Sequence, residues 1–386
     1  MQNKGQVLTL SLFLFPNSIL RNFQILELSN PRNLRFLEFL KSKNIFSGMH
    51  YYRLLLLSLL LFGVSPLSAQ SFQLAGKLLF YNTENFFDPA DNPLTDDDDY
   101  TPEGARHWSY ARMKHKYMNL ARVIVAAADG KAPMIVGLAE VENDSCVYRL
   151  LHHTPLREWE YSSVITQSQD RRGINVALLY KADVFEMIGW ESWRVSMPEG
   201  SKPTRDMLHA WGVVPNGDTL DVEICHLPSR LGGTQKSQRA RAAAHKRLFM
   251  AIDSLQRVRK EACVVVMGDM NDAPNDVKLP RKSGLQNLML PLERSLKLGQ
   301  IPFGSHKYQG KWTFLDQIWV SKNMCGPEAG KLWVKNAAPV AVPFMLTEDN
   351  THLGHRPLRS YYGYEYEGGY SDHLPVGIDL YLYFLR

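Results

Sequence analysis

Short apolar runs recur along the chain, and most of them end in a polar cluster. Val264, Val265, Val266 and Met267 form an unbroken apolar run, the pattern of a strand buried on both faces, before Gly268-Asp269-Met270-Asn271. Leu220, Val222 and Ile224 alternate with polar residues, the pattern of a half-buried strand, and lead to Cys225-His226. Further β-type runs are predicted at 77–81, 135–138, 161–165, 176–180, 317–320 and 376–381. The first ends at Tyr81-Asn82, and the second leads to Leu138-Ala139-Glu140. Two segments carry helical period instead: 113–128, with Tyr117, Leu120, Val123, Ile124 and Ala127 on one face, and 236–257, with Ala240, Ala244, Leu248, Ile252 and Leu255. This mixture predicts two packed sheets flanked by helices.

Strands that end in Asn, Glu, His and Asp-x-Asn, together with Ser371-Asp372-His373, would converge acids, amides and imidazoles on one sheet edge. Hydrolysis of a phosphate ester with a divalent metal needs that set. Singly, each cluster has an ordinary reading: a Gly-Asp turn, a solvated strand-end carboxylate, a structural imidazole. Their joint occurrence in this order is the informative feature. Gly268 is expected to let the backbone turn so that Asp269 and Asn271 point the same way. The clusters run from end to end, no repeat is visible, and 70–386 is predicted to be a single domain.

The N-terminus changes the bulk numbers. Met49 precedes the short basic segment His50-Tyr51-Tyr52-Arg53, an apolar run over 54–64 and a small-residue stretch over 65–69. That order predicts a signal peptide over 49–69, cleaved after Ala69, with export to the periplasm or beyond. A membrane anchor is the alternative, although the apolar run is too short to span a bilayer. Residues 1–48 carry no motif and read as an extension from a start codon placed too early. Lys4, Arg21, Arg32, Arg35, Lys41, Lys43 and Arg53 against Glu27 and Glu38 hold the entire formal charge of +5, so the remainder is neutral. Global charge therefore gives no support for a polyanionic substrate. Cys146, Cys225, Cys263 and Cys325 lack the C-x-x-C spacing of a zinc site, and Cys225 and Cys263 are expected to be buried thiols. The acidic run 96–99 reads as a solvated loop.

The chain resembles the endonuclease/exonuclease/phosphatase superfamily, in an exported bacterial branch. The resemblance rests on Leu78-Leu79-Phe80-Tyr81-Asn82, Gly137-Leu138-Ala139-Glu140, the stretch from Arg172 through Asn175 to Tyr180, His226-Leu227-Pro228-Ser229-Arg230, Gly268-Asp269-Met270-Asn271, Phe314-Leu315-Asp316 and Ser371-Asp372-His373. It implies an α/β fold, a four-layer α/β sandwich with two mainly antiparallel sheets. It also implies a divalent-metal-dependent phosphoesterase that uses Mg²⁺ or Mn²⁺, which suit hard oxygen ligands. Glu140 is the first expected metal ligand, with Asp372 and Glu84 as further candidates. Asn82, Asn175 and Arg230 are expected to bind substrate, Arg230 as a bidentate phosphate clamp. Asp269 is expected to orient and deprotonate the attacking water, with Asn271 fixing its carboxylate and a phosphate oxygen. His373 would donate to the phosphate while Asp316 holds its far nitrogen. His226 stands where the deoxyribonuclease branch has an imidazole.

The first functional expectation is an exported nuclease or phosphodiesterase, acting as a monomer with no membrane-spanning segment after cleavage. Nucleic acid is the expected partner. A phosphomonoesterase or lipid-headgroup phosphodiesterase is the alternative, for which the aromatic tract 361–366 could be a surface contact. A binding protein without turnover is the third. Specificity is expected to lie in the loops 192–204 and 339–370.

Overall fold

The computed structural model describes residues 71–384 apart from 129, 231–232, 278, 281–282 and 328–331. The chain divides into two units, and the described residues belong to the second, Ala69–Arg386. The predicted extension, signal segment and cleavage point lie outside the described residues.

Two six-stranded sheets build the second unit. The first contains β1 (Ser71–Phe86), β2 (Ile135–Val141), β3 (Ser162–Ile165), β4 (Asn175–Tyr180), β11 (Trp333–Pro339) and β12 (Val376–Phe384), in the order β11-β12-β1-β2-β4-β3. The second contains β5 (Glu186–Trp193), β6 (Met207–Val213), β7 (Thr219–His226), β8 (Cys263–Asp269), β9 (Leu285–Asn287) and β10 (Asp316–Ser321), in the order β5-β6-β7-β8-β10-β9. Among the described residues, only β1–β2 and β7–β8 pair in parallel, so both sheets are mainly antiparallel. Helices α1 (Tyr110–Ala127) and α2 (Asp144–His152) cover the first sheet, and α3 (Thr234–Val258) covers the second. This is the four-layer α/β sandwich. The remaining helix, α4, is Met289–Lys297.

Strand alternation assigns the apolar residues to three cores. Leu79 and Tyr81 of β1 and Val136 and Leu138 of β2 pack against α1, whose Tyr117, Leu120 and Ile124 are buried as its period predicts. Leu78 and Phe80 turn the other way and meet Val222, Ile224, Val265, Met267 and Ile318 between the sheets. Cys225, Val264 and Val266 on the outer face of the second sheet pack under Ala244, Leu248 and Ile252 of α3. Each such fully buried aliphatic or aromatic side chain contributes about 1.5–3 kcal/mol. Among the described residues, no disulfide joins the four cysteines.

Gly268 has a different reason from the expected one. It lies inside β8 in extended conformation, and a Cβ there would stand 2.4 Å from the Cys225 carbonyl oxygen on the neighbouring strand. The requirement is close strand packing. The turn after β8 is made by Asn271, at φ 49°. The tract at 361–366 forms a hairpin, Tyr361–Tyr362 with Glu365–Tyr366, in which Tyr361 is buried and Arg112 lies 4.3 Å from the Tyr366 ring centroid. Among the described residues, no helix is long and apolar enough to cross a membrane.

Candidate active site

The same alternation that fills the inner core assembles the site. Counting on from the inward residues Phe80, Ile224 and Met267, the next inward positions are Asn82, His226 and Asp269, while Asp316 precedes inward Ile318 and Val320. Register aligns them: Asp316 and His226 both pair with Asp269, from opposite neighbours of β8. Four polar side chains thus meet at one mouth of the inter-sheet space, each nearly fully buried. Glu140 should point to the α1 side. Its φ of 60° breaks the alternation at the end of β2 and brings Oε1 to 3.7 Å from His226 Nε2.

Asp269 is the hub. Its Oδ1 accepts the Asn271 backbone N–H at 2.9 Å, and its Oδ2 accepts the Asn82 amide at 3.1 Å. Both imidazoles approach that same Oδ2, His226 Nε2 at 3.5 Å and His373 Nε2 at 3.9 Å. Burial, only partly offset by the His373 charge, pushes the Asp269 carboxyl up to about 7, and Asp316 adds to the rise. His373 precedes β12 and is fixed by its neighbours: its N–H bonds Ser371 Oγ at 3.0 Å, and Ser371 Oγ donates to the Asn82 carbonyl at 2.7 Å. Its Nδ1 meets Asp316 Oδ2 at 2.6 Å. Burial alone would lower the His373 pKa, but the Asp316, Asp372 and Asp269 carboxylates outweigh it and hold the imidazole well above its usual value. His226 behaves oppositely. Burial and the cationic Arg205 and Arg172 keep it well below the usual range, so it is neutral.

Several expected site residues are placed elsewhere or otherwise engaged. Asn175 is a brace: its amide donates to Glu142 O at 2.7 Å and Gly173 O at 3.1 Å, and its oxygen accepts from Ser168 N at 2.7 Å. No part of it is left for substrate. Arg230 forks onto Asp272 at 3.0 Å and Asp276 at 3.2 Å and bonds Asn271 O at 2.7 Å, so it ties the turn after β8 in place of a phosphate clamp. Glu84 faces Arg359 and Lys116. Asn271 fixes the Asp269 carboxylate through its backbone N–H, while its side-chain amide holds Leu227 O at 3.0 Å.

Other residues escaped the sequence reading. His306 lies against His373 with ring centroids 4.7 Å apart and the ring planes tilted by 44°, and burial together with the His373 charge holds its pKa down at about 3. Arg205, buried, joins Asp170 at 3.2 Å and Leu227 O at 2.7 Å. Arg359 bonds Asp372 at 2.5 Å, and its charge outweighs burial to hold that carboxyl at about 2. None follows a strand with a periodic pattern, so nothing local in the sequence marks them.

The donor set fits a hard divalent ion. Glu140 Oε2 accepts Asn85 N at 2.9 Å, while Oε1 faces the His226 ring beyond hydrogen-bond reach. Buried Asp316 Oδ1 has no hydrogen-bond partner among the described residues. Among the described residues, two groups bring ligand atoms within 4.8 Å of one another: Asp269, Asp316 and His373, and His306, Asp372 and His373. Apart from these residues, Gln167, Trp190, Ser192, Arg194 and Asp206 line a cleft of about 700 Å³, partly shaped by the loop after β5.

Comparison with known proteins gives this geometry its context. No curated protein sequence matches the chain. The human Nocturnin catalytic domain with bound sulfate anion aligns with a TM-score of 0.50 at 17% identity, over 81% of this chain and 97% of that one. Humanized D. rerio TDP2 aligns with a TM-score of 0.50 at 15% identity, over 79% and 98%. A Bacteroides thetaiotaomicron endonuclease/exonuclease/phosphatase family protein gives 0.49 at 16% identity, over 81% and 97%. At such identities the likeness is one of fold. The model of the Endonuclease/Exonuclease/phosphatase family, however, matches residues 77–382, nearly the whole described unit, and the chain belongs to that family.

Proposed function

We propose that the protein is an exported, divalent-metal-dependent phosphoesterase that hydrolyses phosphodiesters, with nucleic acid as the first substrate class to test. The observation that carries this reading is the shared Oδ2 of Asp269, approached by the Asn82 amide and by two imidazoles, His373 held charged and His226 held neutral. Glu140, with Asn82 beside it, would hold Mg²⁺ or Mn²⁺, which supplies charge neutralisation at the phosphoryl oxygens. Asp269 accepts the proton of the attacking water, and its pKa of about 7 places it close to neutral pH, where a general base is most effective. The Asn82 amide and the Asn271 N–H keep its carboxylate aimed. His373, kept charged by Asp316, donates to a phosphoryl oxygen as negative charge builds there. Neutral His226 stands across Asp269 Oδ2 and offers a second polar contact without adding charge. The fold match to a domain with bound sulfate, a tetrahedral oxyanion, accords with this reading.

The test is hydrolysis by the purified protein of bis-nitrophenyl phosphate, nitrophenyl phosphate, plasmid DNA, RNA and phospholipid headgroups, with Mg²⁺ or with chelator. Chelator-sensitive turnover of diesters that falls at least 100-fold in Asp269→Asn is the expected result. Turnover of monoesters alone would move the protein to the phosphomonoesterase alternative. Turnover of no phosphate ester would refute the enzyme reading.

A further inference from the structure

The sequence expects Glu84 and Asp372 to reach for a divalent ion, and the structure does bring them to one cation. That cation is a side chain. Arg359 Nε donates to Glu84 Oε1 at 3.2 Å, and Arg359 Nη2 donates to Asp372 Oδ2 at 2.5 Å. The other Glu84 oxygen accepts the Ser360 N–H at 2.7 Å and lies 3.9 Å from Lys116 Nζ. Glu84 and Lys116 are both buried. Two carboxylates, one ammonium and one guanidinium balance formally without an ion. A divalent ion added here would leave a double positive excess beside a buried lysine, where weak screening makes repulsion strong.

The guanidinium is held in place from behind. Lys116 Nζ donates to Ser360 Oγ at 2.6 Å and to Tyr370 O at 2.7 Å, and Gly369 N donates to Arg359 O at 3.0 Å. Gly369 packs so tightly there that a Cβ would stand 2.2 Å from Leu358 O. The front is open. The Arg359 side chain is 31% exposed, and the second oxygen of its partner Asp372 lies 4.0 Å from His373 Nε2. Of the five guanidinium N–H donors, the pair on Nη1 has no acceptor among the described residues.

We propose that Arg359 is the resident cation of the Glu84–Asp372 pair, so that the centre binds one divalent ion, at Glu140, and the Arg359 guanidinium takes a phosphoryl oxygen of the substrate through Nη1. The proposal rests on the phosphoesterase reading and adds a catalytic group to it. A planar guanidinium beside His373 gives the developing phosphoryl charge a fixed second partner without a second metal.

Mn²⁺ binding to the purified protein, counted from the electron paramagnetic resonance of free Mn²⁺, tests this together with hydrolysis of bis-nitrophenyl phosphate. Wild type should bind one Mn²⁺, a count that Glu84→Gln leaves unchanged and Glu140→Gln abolishes. Arg359→Gln should gain a second Mn²⁺ at the vacated pair and lose about 10- to 100-fold in kcat/KM, whereas Arg359→Lys should gain none. Two Mn²⁺ in wild type, one of them lost in Glu84→Gln, overturns the proposal. So does an Arg359→Gln protein with an unchanged count and wild-type kcat/KM. If Arg359→Gln fails to fold, the Glu84→Gln count decides alone. The Mn²⁺ counts do not depend on turnover, so failure of the phosphoesterase reading shows separately, as inactivity of the wild type on every phosphate ester.

Discussion

Asp316→Asn isolates the contact that makes His373 an acid. Asp316 Oδ2 and His373 Nδ1 are 2.6 Å apart and both residues are buried, so the pair is a charge-assisted hydrogen bond with little screening. Asparagine keeps an acceptor oxygen in the same place, so ring orientation survives, while the negative charge that favours the imidazolium is lost. A hydrogen bond to a charged group is worth about 1.5–3 kcal/mol, and each 1.4 kcal/mol is about tenfold in rate. Asp316→Asn should therefore lower kcat/KM by roughly 10- to 150-fold, through a smaller charged fraction of His373 at neutral pH. His373→Ala should lose somewhat more, and the double variant little beyond His373→Ala, because both changes remove one functional unit. The pair also affects stability. The folded pKa of His373 is raised above the unfolded value of about 6.5, so its contribution is fully present below that pH and is lost as pH rises through the folded value. Asp316→Asn should flatten that dependence. Kinetics of the two single variants and the double on one phosphodiester, with urea unfolding at pH 5 to 10, measure both effects. Additive losses of activity would refute the dyad.

Glu140→Gln should abolish Mg²⁺-dependent turnover and the calorimetric heat of metal binding while the melting temperature stays close to wild type, since the amide oxygen can still accept the Asn85 N–H that Glu140 Oε2 accepts at 2.9 Å. Asn175→Ala should behave in the reverse way: leaving the Ser168 N–H and the Glu142 carbonyl without their partner costs about 1–3 kcal/mol in urea unfolding, with kcat/KM of the folded protein little changed. N-terminal sequencing of the native protein should read from Gln70, and residues upstream of Met49 would refute the signal-peptide reading.

The legible part of the site was the part carried by strands. A strand with one inner face states in its own alternation which residue comes next into the inter-sheet space, and Asn82, His226, Asp269 and Asp316 each extend an apolar series by two positions. Glu140 shows the limit of that logic. Its type and place at the end of β2 were readable, but parity assigns it to the wrong face, and only the left-handed backbone at φ 60° turns it toward His226. The strands that went unpredicted follow the same rule from the other side. In β5, Met187 and Gly189 pair with Gly212 and Trp211 across a register shift, which destroys the period that would have announced a strand.

Residues on loops obey no such series, and there the chemical type of a side chain misleads about its work. Arg230, four residues after His226, has the spacing of a phosphate clamp but meets Asp272 and Asp276, acids from the turn after β8 that sequence distance does not link to it. Glu84, two residues past Asn82, has the type of a metal ligand, yet its partner Arg359 is 275 positions away. Both placements have one cause. A carboxylate or guanidinium is satisfied by whatever opposite charge the fold brings within about 4 Å, and a buried charge cannot stay unpaired. The role of such a group is therefore fixed by the second chain segment at the contact. Strand ends reveal that segment in advance, because register ties His226, Asp269 and Asp316 to one another, whereas the loop that carries Arg359 is positioned by Lys116, Ser360 and Gly369, none of which has a period to read.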